Sequence, residues 1–260
     1  MRNLKSFIAG SGIGTLGGLI GLGGAEFRLP VLVAGFGFNT LQAIILNLVI
    51  SLVTVFFSFI FRSGATAVET ILNNGFLILN LLSGTLIGSY CGALFASRIK
   101  MAALNKAVMV LLVGLSAIMM FQHFFPFSAN PLFSNTYLMF SAGMAAGLVI
   151  GSISSLLGVA GGELLIPTFM LLYGVDIKLA GSLSLAVSFP TLIVGIAKYA
   201  SSDSFKIVGA QKVFLSYMAL GSIAGAYAGS LLLGIVSSSI LSLALGVILL
   251  VSAVKIFHGK

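Results

Sequence analysis

The chain has 260 residues, of which 59% are hydrophobic and only 7% are charged. Soluble domains carry about 25% charged residues, so this composition excludes a globular protein whose whole surface faces water. The formal net charge is +8, but the basic residues are spread thinly at the ends of apolar runs, which argues against nucleic acid as a partner. Lipid is therefore predicted to cover most of the surface.

Ten apolar stretches follow one another along the chain. Those of about 20 residues are long enough to cross a bilayer as helices, whereas 29–38 and 164–174 are too short to cross alone. A turn-rich linker without Lys, Arg, Asp or Glu, residues 123–136, separates the two halves. The stretches are residues 6–24, 29–38, 40–61, 75–97, 102–121, 136–159, 164–174, 179–197, 213–235 and 237–256.

The two halves of the chain are copies of one unit. A shift of 137 positions aligns them without a gap, and between residues 10 and 54 it gives fourteen identities in forty-five positions. Composition alone gives about four identities, so the halves are interpreted as repeats, residues 1–122 and 137–260. The matched pairs include Gly21/Gly158, Gly24/Gly161, Glu26/Glu163, Pro30/Pro167 and Ser51/Ser188.

The predicted fold is an all-α polytopic membrane protein of two pseudo-symmetric repeats, and two arrangements are open. In the favoured one, each repeat has three full crossings plus a hairpin formed by its broken segment, residues 8–38 or 137–174. The odd number of crossings inverts one repeat relative to the other. Both termini are then cytoplasmic and the linker lies outside. In the alternative, the break is only a kink, and eight crossings form two parallel four-helix repeats.

The distribution of positive charge favours the inverted arrangement, because cytoplasmic loops are rich in Lys and Arg. The hairpin arrangement places ten basic residues on one side and only Arg62 and Lys178 on the other, whereas the kinked arrangement gives eight against five. The ten are Arg2, Lys5, Arg98, Lys100, Lys106, Lys198, Lys206, Lys212, Lys255 and Lys260.

Each repeat contains a glycine-rich motif followed by a glutamate and a proline. The motif reads Gly-Leu-Gly-Gly-Ala-Glu-Phe-Arg-Leu-Pro over residues 21–30 and Gly-Val-Ala-Gly-Gly-Glu-Leu-Leu-Ile-Pro over residues 158–167. A glycine costs a helix about 1 kcal/mol relative to alanine, so one helix is predicted to end at the glycines. A second helix then begins near Glu26 or Glu163, with the proline around its first turn.

The break in each repeat is a predicted anion site. Lipid cannot satisfy the backbone groups of a helix break, so the break must be buried in protein or line a cavity. The N-terminus of the second half-helix presents free N–H groups and a partial positive charge, which bind oxyanions. The predicted ligand is a small anion, held by N–H groups near Gly24, Ala25, Gly161 and Gly162.

Polar side chains on the helix after each break are further candidates. The site is predicted to be lined by Asn47, Ser51, Ser184 and Ser188. The amide of Asn47 and the hydroxyl of Ser184 suit the oxygen atoms of an anion. The alternative is that such side chains only satisfy backbone carbonyl groups.

The charged residues of the motifs each allow two interpretations. Glu26 and Glu163 either cap their half-helices or act in proton coupling or gating, the common use of an ionisable group inside a membrane. Arg28, matched by Leu165 in repeat two, either pairs with Glu26 or clamps the anion with both ends of its guanidinium. Neither motif places histidine or a second carboxylate nearby, so no metal and no cofactor are predicted.

The two motifs, each with Glu-x-x-x-Pro, resemble the signature of the sulfite exporter TauE/SafE family of bacterial membrane proteins. The resemblance extends over essentially the whole chain, although Ala25 and Ala160 stand where the fullest motif has glycine. It implies export of sulfite or a small organosulfonate across the bacterial cytoplasmic membrane.

The leading functional hypothesis is a secondary transporter, driven by the membrane potential or coupled to protons, because the chain contains no nucleotide-binding motif. A passive anion channel and import of a related sulfur oxyanion are the alternatives. An enzyme is not expected, since the two histidines, His123 and His258, lie in the linker and the tail. The expected partners are a small anionic substrate and the lipid bilayer, and a homo-oligomer is left open.

Overall fold

The computed structural model describes residues 2–65, 68–95, 101–124, 131–133, 135–200 and 203–258. Arg98, Lys100 and Lys260 of the charge prediction, and half of the linker (residues 125–130 and 134), lie outside these ranges. The described residues form a bundle of α-helices with two short irregular helices. The α-helices are α1 (Arg2–Ile20), α2 (Ala25–Pro30), α3 (Thr40–Ala65), α4 (Val68–Asn73), α5 (Gly75–Phe95), α6 (Met101–Phe124), α7 (Thr136–Leu157), α8 (Gly162–Tyr173), α9 (Ile177–Ala200), α10 (Lys206–Ala210), α11 (Lys212–Leu233) and α12 (Ser238–His258).

The chain is a multi-pass membrane protein by the length and hydropathy of its helices. Within the described residues, five helices are long and apolar enough to cross a bilayer. The predicted crossings near 102–121 and 237–256 form α6 and α12, and α1 begins at Arg2, earlier than the predicted broken segment. The five candidate spans are Thr40–Arg62, Gly75–Gly92, Thr136–Leu157, Ile177–Ala200 and Lys212–Leu233.

Helices α1 and α11 pack backbone to backbone along a row of glycines. A Cβ atom added to each of three glycines of α1 would meet the backbone of α11, since nothing wider than a hydrogen fits there. The contacts advance along both helices together, so α1 and α11 run in the same direction. The pairs are Gly10 with Met218, Gly14 with Ser222 and Gly18 with Ala226.

The second half of the chain repeats this contact with the roles exchanged. Helix α7 corresponds to α1 and α5 corresponds to α11 under the shift of 137, and these two helices also pack in parallel through glycines. Each repeat therefore places its first helix against the other repeat. The pairs are Gly147 with Leu81, Gly151 with Thr85, Gly84 with Met144, Gly88 with Leu148 and Gly92 with Ser152.

Helices α3 and α9, which are equivalent to each other, run in opposite directions. Near the end of α3, the guanidinium of Arg62 donates to the carbonyl oxygen of Lys178 in the first turn of α9, at 2.7 Å. Phe56 lies six residues before Arg62 on α3, and Phe189 lies eleven residues after Lys178 on α9. The rings of Phe56 and Phe189 are 5.5 Å apart. The two helices are therefore antiparallel.

In each repeat, the end of the second half-helix lies near the start of the helix that precedes the break. The amide of Leu132, just before α7, donates to the carbonyl of Leu172 near the end of α8 at 3.1 Å. At the start of α1, the guanidinium of Arg2 lies 5.2 Å from the centre of the Phe38 ring, which follows the second half-helix of repeat one. The two arms of each broken segment therefore have their outer ends close together.

Substitution of Gly14 tests the close packing of α1 and α11. We expect Gly14→Ala to lower the stability by about 1–3 kcal/mol, because the new methyl group forces the helices apart. Gly12 is a matched control on the same helix, where a Cβ meets no atom within 4 Å. Gly12→Ala should leave the melting temperature unchanged or raise it, since alanine favours a helix over glycine by about 1 kcal/mol. Thermal melts in detergent measure both, and equal melting temperatures would contradict the packing.

Candidate functional site

In repeat one, the break spans the four residues between α1 and α2. Gly24 immediately precedes α2 with a φ of 72°, a left-handed conformation that glycine adopts without strain, and no side chain caps this helix end. A Cβ on Gly24 would strike Ile13 of α1, so the chain doubles back closely after the break. The glycines of the motif are thus required by the reversal.

Repeat two has the same geometry. Gly161 precedes α8 with a φ of 77°, again without a side-chain cap. A Cβ on Gly161 would strike the hydroxyl of Ser154 and the side chain of Ile150, which is the position equivalent to Ile13. The N–H groups of Leu164 and Leu165 donate to the Gly161 carbonyl, whereas that of Gly162 has no acceptor within the helix.

The prolines lie further along than predicted. Pro30 and Pro167 are each the sixth residue of their half-helix and therefore stand in its second turn. Proline has no N–H group to donate to the carbonyl four residues earlier, which is that of Glu26 or Glu163. After Pro30 the chain continues as a π-helix, Val31–Gly35, so the second arm of repeat one is irregular where that of repeat two is regular.

The two breaks meet in the middle of the bundle. A Cβ on Gly23 would contact the methyl group of Ala160, which is its equivalent in repeat two. Next to this contact, Gly162 packs against the backbone of Leu22. Matching positions of the two motifs thus lie next to each other where the breaks meet. Buried apolar residues surround them: Ala25, Leu48, Val55, Val159, Ala160, Leu185 and Leu192.

Asn47 and Ser184, which are equivalent, each bind the break of the other repeat. The Asn47 amide donates to the carbonyl of Gly158 at 2.9 Å and to that of Ala25 at 3.0 Å. The Ser184 hydroxyl lies 2.7 Å from the carbonyl of Gly21, the equivalent of Gly158. Both residues are fully buried. They hold the two breaks together, which is the backbone-satisfying role left open by the sequence.

Ser188 and Ser51 also make hydrogen bonds at the breaks. The Ser188 hydroxyl donates to the carbonyl of Ala160 at 2.9 Å. The Ser51 hydroxyl instead accepts from Arg28, at 2.8 Å. The predicted lining residues therefore do lie at the breaks, and each already has a protein partner in this structure.

Arg28 is a fully buried cation beside the break of repeat one. Its five hydrogen bonds all go to neutral oxygen atoms, the shortest being those to Ser51 at 2.8 Å and Thr54 at 3.0 Å. Glu26, one of the two partners that the sequence left open for Arg28, is not among these acceptors. The acceptors are Asn47 Oδ1, Ser51 Oγ, the Gly23 carbonyl, Thr54 Oγ1 and Ser222 Oγ, the last from repeat two.

The glutamates lie in the first turns of the two half-helices. Glu26 is 8% exposed and Glu163 is 7% exposed. Neither carboxylate oxygen of Glu26 has a hydrogen-bond partner, so Glu26 does not cap α2. A buried carboxylate at a helix N-terminus competes directly with any other anion for the same positive end of the dipole.

Arg62 does not lie where the charge distribution predicts it. The predicted position is among the charges on the outer side, but Arg62 lies within α3 and is fully buried. Its guanidinium donates to the carbonyls of Gly18 at 2.9 Å and Leu19 at 2.7 Å, in the last turn of α1, and also to α9. A cation at a helix C-terminus binds the free carbonyls and the negative end of the dipole. Arg62 therefore fixes the end of α1 at the break.

Apolar spans around two buried, interrupted helices define the class: a multi-pass membrane protein with broken helices in its interior. Residues 6–256 match the family described as Sulfite exporter TauE/SafE, and the chain belongs to this family of membrane transporters. No curated protein and no solved structure matches the chain.

Proposed function

We propose that this protein is a secondary transporter that exports a small sulfur-containing anion, sulfite or an organosulfonate, across the bacterial cytoplasmic membrane. The observation that carries the proposal is Arg28, a buried guanidinium whose hydrogen bonds all go to neutral oxygens at the point where the breaks meet. In this proposal the protein is a transporter and not an enzyme.

The charge of Arg28 supports an anionic substrate. A buried charge loses its hydration, and neutral hydroxyl groups replace only part of the lost free energy. Glu26 interacts with Arg28 electrostatically but accepts none of its hydrogen bonds, so an anion near the break can supply an opposite charge in direct contact. Guanidinium binds oxyanions through two parallel hydrogen bonds. The N–H groups near Gly24, Ala25, Gly161 and Gly162 add donors of the same kind.

The helix directions support inverted repeats. Equivalent helices α3 and α9 run in opposite directions, which a twofold axis in the membrane plane produces and a parallel repeat does not. Each broken segment is a hairpin, so each repeat keeps an odd number of crossings. In this arrangement both termini are cytoplasmic. With Arg62 buried, Lys178 is the one predicted charge left on the outer side.

Transport in this arrangement requires the breaks to separate. Gly23 and Ala160 touch in this structure, and Asn47 and Ser184 tie each break to the other repeat. An anion that enters between the breaks accepts hydrogen bonds from the Asn47 amide and the Ser184 hydroxyl in place of the backbone carbonyls. Rocking of one repeat against the other then exposes the site to each side in turn.

Glu26 and Glu163 are proposed as the coupling or gating groups. An ionised carboxylate and a bound anion at the same helix end repel each other, so binding of the substrate and ionisation of the glutamate oppose each other. Such a link couples anion movement to protons.

Proteoliposomes containing the purified protein test the proposal. We expect saturable sulfite flux with counter-flow, and a sulfite-dependent rise in melting temperature in detergent, because a ligand that binds only the folded state stabilises it. Flux that does not saturate, with single-channel currents, would instead support a passive anion channel.

Glu26→Gln should retain sulfite binding but lose the dependence of flux on a pH gradient. Equal pH-gradient dependence in Glu26→Gln, Glu163→Gln and the unaltered protein would contradict the coupling role.

A further inference from the structure

Ser154 has a buried hydroxyl group without a hydrogen-bond partner. The residue lies in the last turn of α7 and is 3% exposed. Its Oγ atom packs against Gly161, the residue that precedes α8. The hydroxyl therefore lies at the N-terminus of a twelve-residue helix, whose first residue, Gly162, has no carbonyl within the helix to which its N–H group can donate.

On the described helices the buried hydroxyl groups of Ser58 and Ser155 also lack a partner, but those of Thr54 and Thr191 do not. Thr54 donates to the carbonyl of Ile50 at 2.8 Å, and Thr191 donates to that of Val187 at 2.8 Å. This bond to the preceding turn is the usual solution for serine and threonine inside a helix. Ser154 keeps its donor free although a buried, unsatisfied polar group is unfavourable.

Repeat one shows that the fold does not need this hydroxyl. The position equivalent to Ser154 is Gly17, which packs against Gly23 of its own break without any side chain. The same turn, reversal and half-helix form in both repeats. The hydroxyl is therefore an addition specific to repeat two, at the break that lacks a counterpart of Arg28.

We propose that the Ser154 hydroxyl and the N–H group of Gly162, at the start of α8, form an oxyanion subsite for the transported sulfur anion. This inference rests on the proposed function and adds a substrate-binding residue to it. Repeat one supplies positive charge through Arg28, and repeat two supplies neutral donors. Sulfite and sulfonates carry three oxygen atoms on sulfur, so one anion has acceptors for several donors.

The neighbouring Ser155 provides a matched control. It is also buried, at 2% exposure, and its hydroxyl also lacks a partner. Successive helix residues point about 100° apart, so Ser155 faces a different neighbour. Its equivalent, Gly18, packs against α11 and away from the break. Ser155→Ala thus removes the same group from the same turn without touching the subsite.

The test measures binding of sulfite and of methanesulfonate to the full-length protein in nanodiscs by calorimetry, together with the melting temperature without ligand. We expect Ser154→Ala to raise the Kd for both anions about tenfold or more, because a hydrogen bond to a charged ligand is lost. Its melting temperature without ligand should be unchanged or higher, since an unsatisfied buried hydroxyl has been removed. Ser155→Ala should bind both anions as the unaltered protein does.

The outcomes separate this inference from the proposed function. An unaltered protein that binds sulfite, combined with an unchanged Kd in Ser154→Ala, overturns the subsite and leaves the transporter proposal standing. Equal losses of affinity in Ser154→Ala and Ser155→Ala, or a loss in Ser154→Ala that follows a lower melting temperature, also overturn it, because they indicate a packing role. If the unaltered protein binds neither anion, both proposals fail.

Discussion

Arg28→Leu is expected to abolish sulfite binding and transport while the protein still folds. Truncating one side of a buried charge pair costs about 2–5 kcal/mol, which corresponds to a loss of affinity of roughly thirtyfold to several thousandfold. Flux in proteoliposomes and calorimetric titration with sulfite measure the two losses. The size of this effect follows from the position of Arg28, which is the fully buried cation closest in sequence to the break of repeat one.

Repeat two shows why leucine is tolerated at this position. Leu165 is the equivalent of Arg28 and is buried in the matching surroundings. There, the hydroxyl of Thr191 lies 2.9 Å from that of Thr85. Thr54 and Ser222 are their equivalents and both accept from Arg28. Without the guanidinium, these two hydroxyls have the same route to pair with each other, so we expect a stability loss of only about 1–2 kcal/mol.

Arg28→Lys completes this test. Lysine keeps the charge but not the planar, two-pronged donor geometry of guanidinium. We therefore expect binding weaker than in the unaltered protein and stronger than in Arg28→Leu. Sulfite flux in Arg28→Leu that equals that of the unaltered protein would show that Arg28 is only a structural link among α2, α3 and α11.

The break itself could be predicted from the sequence because its cause is local. Glycine clusters and the proline act on the backbone of their own segment, so the motif at residues 21–30 defines where α1 ends and where α2 begins. Because the repeats align, the same helix boundaries are predicted at residues 158–167. The predicted position of Pro30 within its half-helix was less accurate, since no local sequence pattern indicates that the chain continues as a π-helix after it.

The partners of the polar residues could not be predicted, because they come from the other repeat. Asn47 binds Gly158, 111 positions away, and Ser184 binds Gly21, 163 positions away. No pattern within α3 or α9 indicates which carbonyl lies opposite. For the same reason Arg62, at the end of an apolar run, looked like a loop charge, although α1 and α9 enclose it.

Arg62→Met is expected to be the most destabilising substitution at the breaks. Arg62 binds three carbonyl groups and the hydroxyl of Ser182. The Lys178 carbonyl also accepts from Ser182, so methionine leaves the Gly18 and Leu19 carbonyls at the end of α1 without a donor, at about 1–3 kcal/mol each. We therefore expect a loss of at least about 2 kcal/mol, visible as a large drop in the melting temperature in detergent.

The equivalent residue in repeat two is the natural control for this prediction. Tyr199 donates to the carbonyl of Ser155 at 3.3 Å, a single long bond at the end of α7. Tyr199→Phe removes that bond alone and should cost no more than about 1 kcal/mol. Equal melting temperatures for Arg62→Met and Tyr199→Phe would contradict the role of Arg62 at the end of α1.

Substitution of the two buried arginines should therefore affect different properties, stability for Arg62 and sulfite affinity for Arg28. Arg62→Met lowers stability, and the fraction that remains folded keeps its affinity for sulfite, because Arg62 binds backbone carbonyls that an anion cannot replace. Arg28→Leu keeps stability and loses affinity, because the hydroxyl acceptors of Arg28 can pair among themselves while an anion cannot find another cation there. Measuring both the melting temperature and the Kd of each variant separates a cation that holds the break from one that serves the substrate.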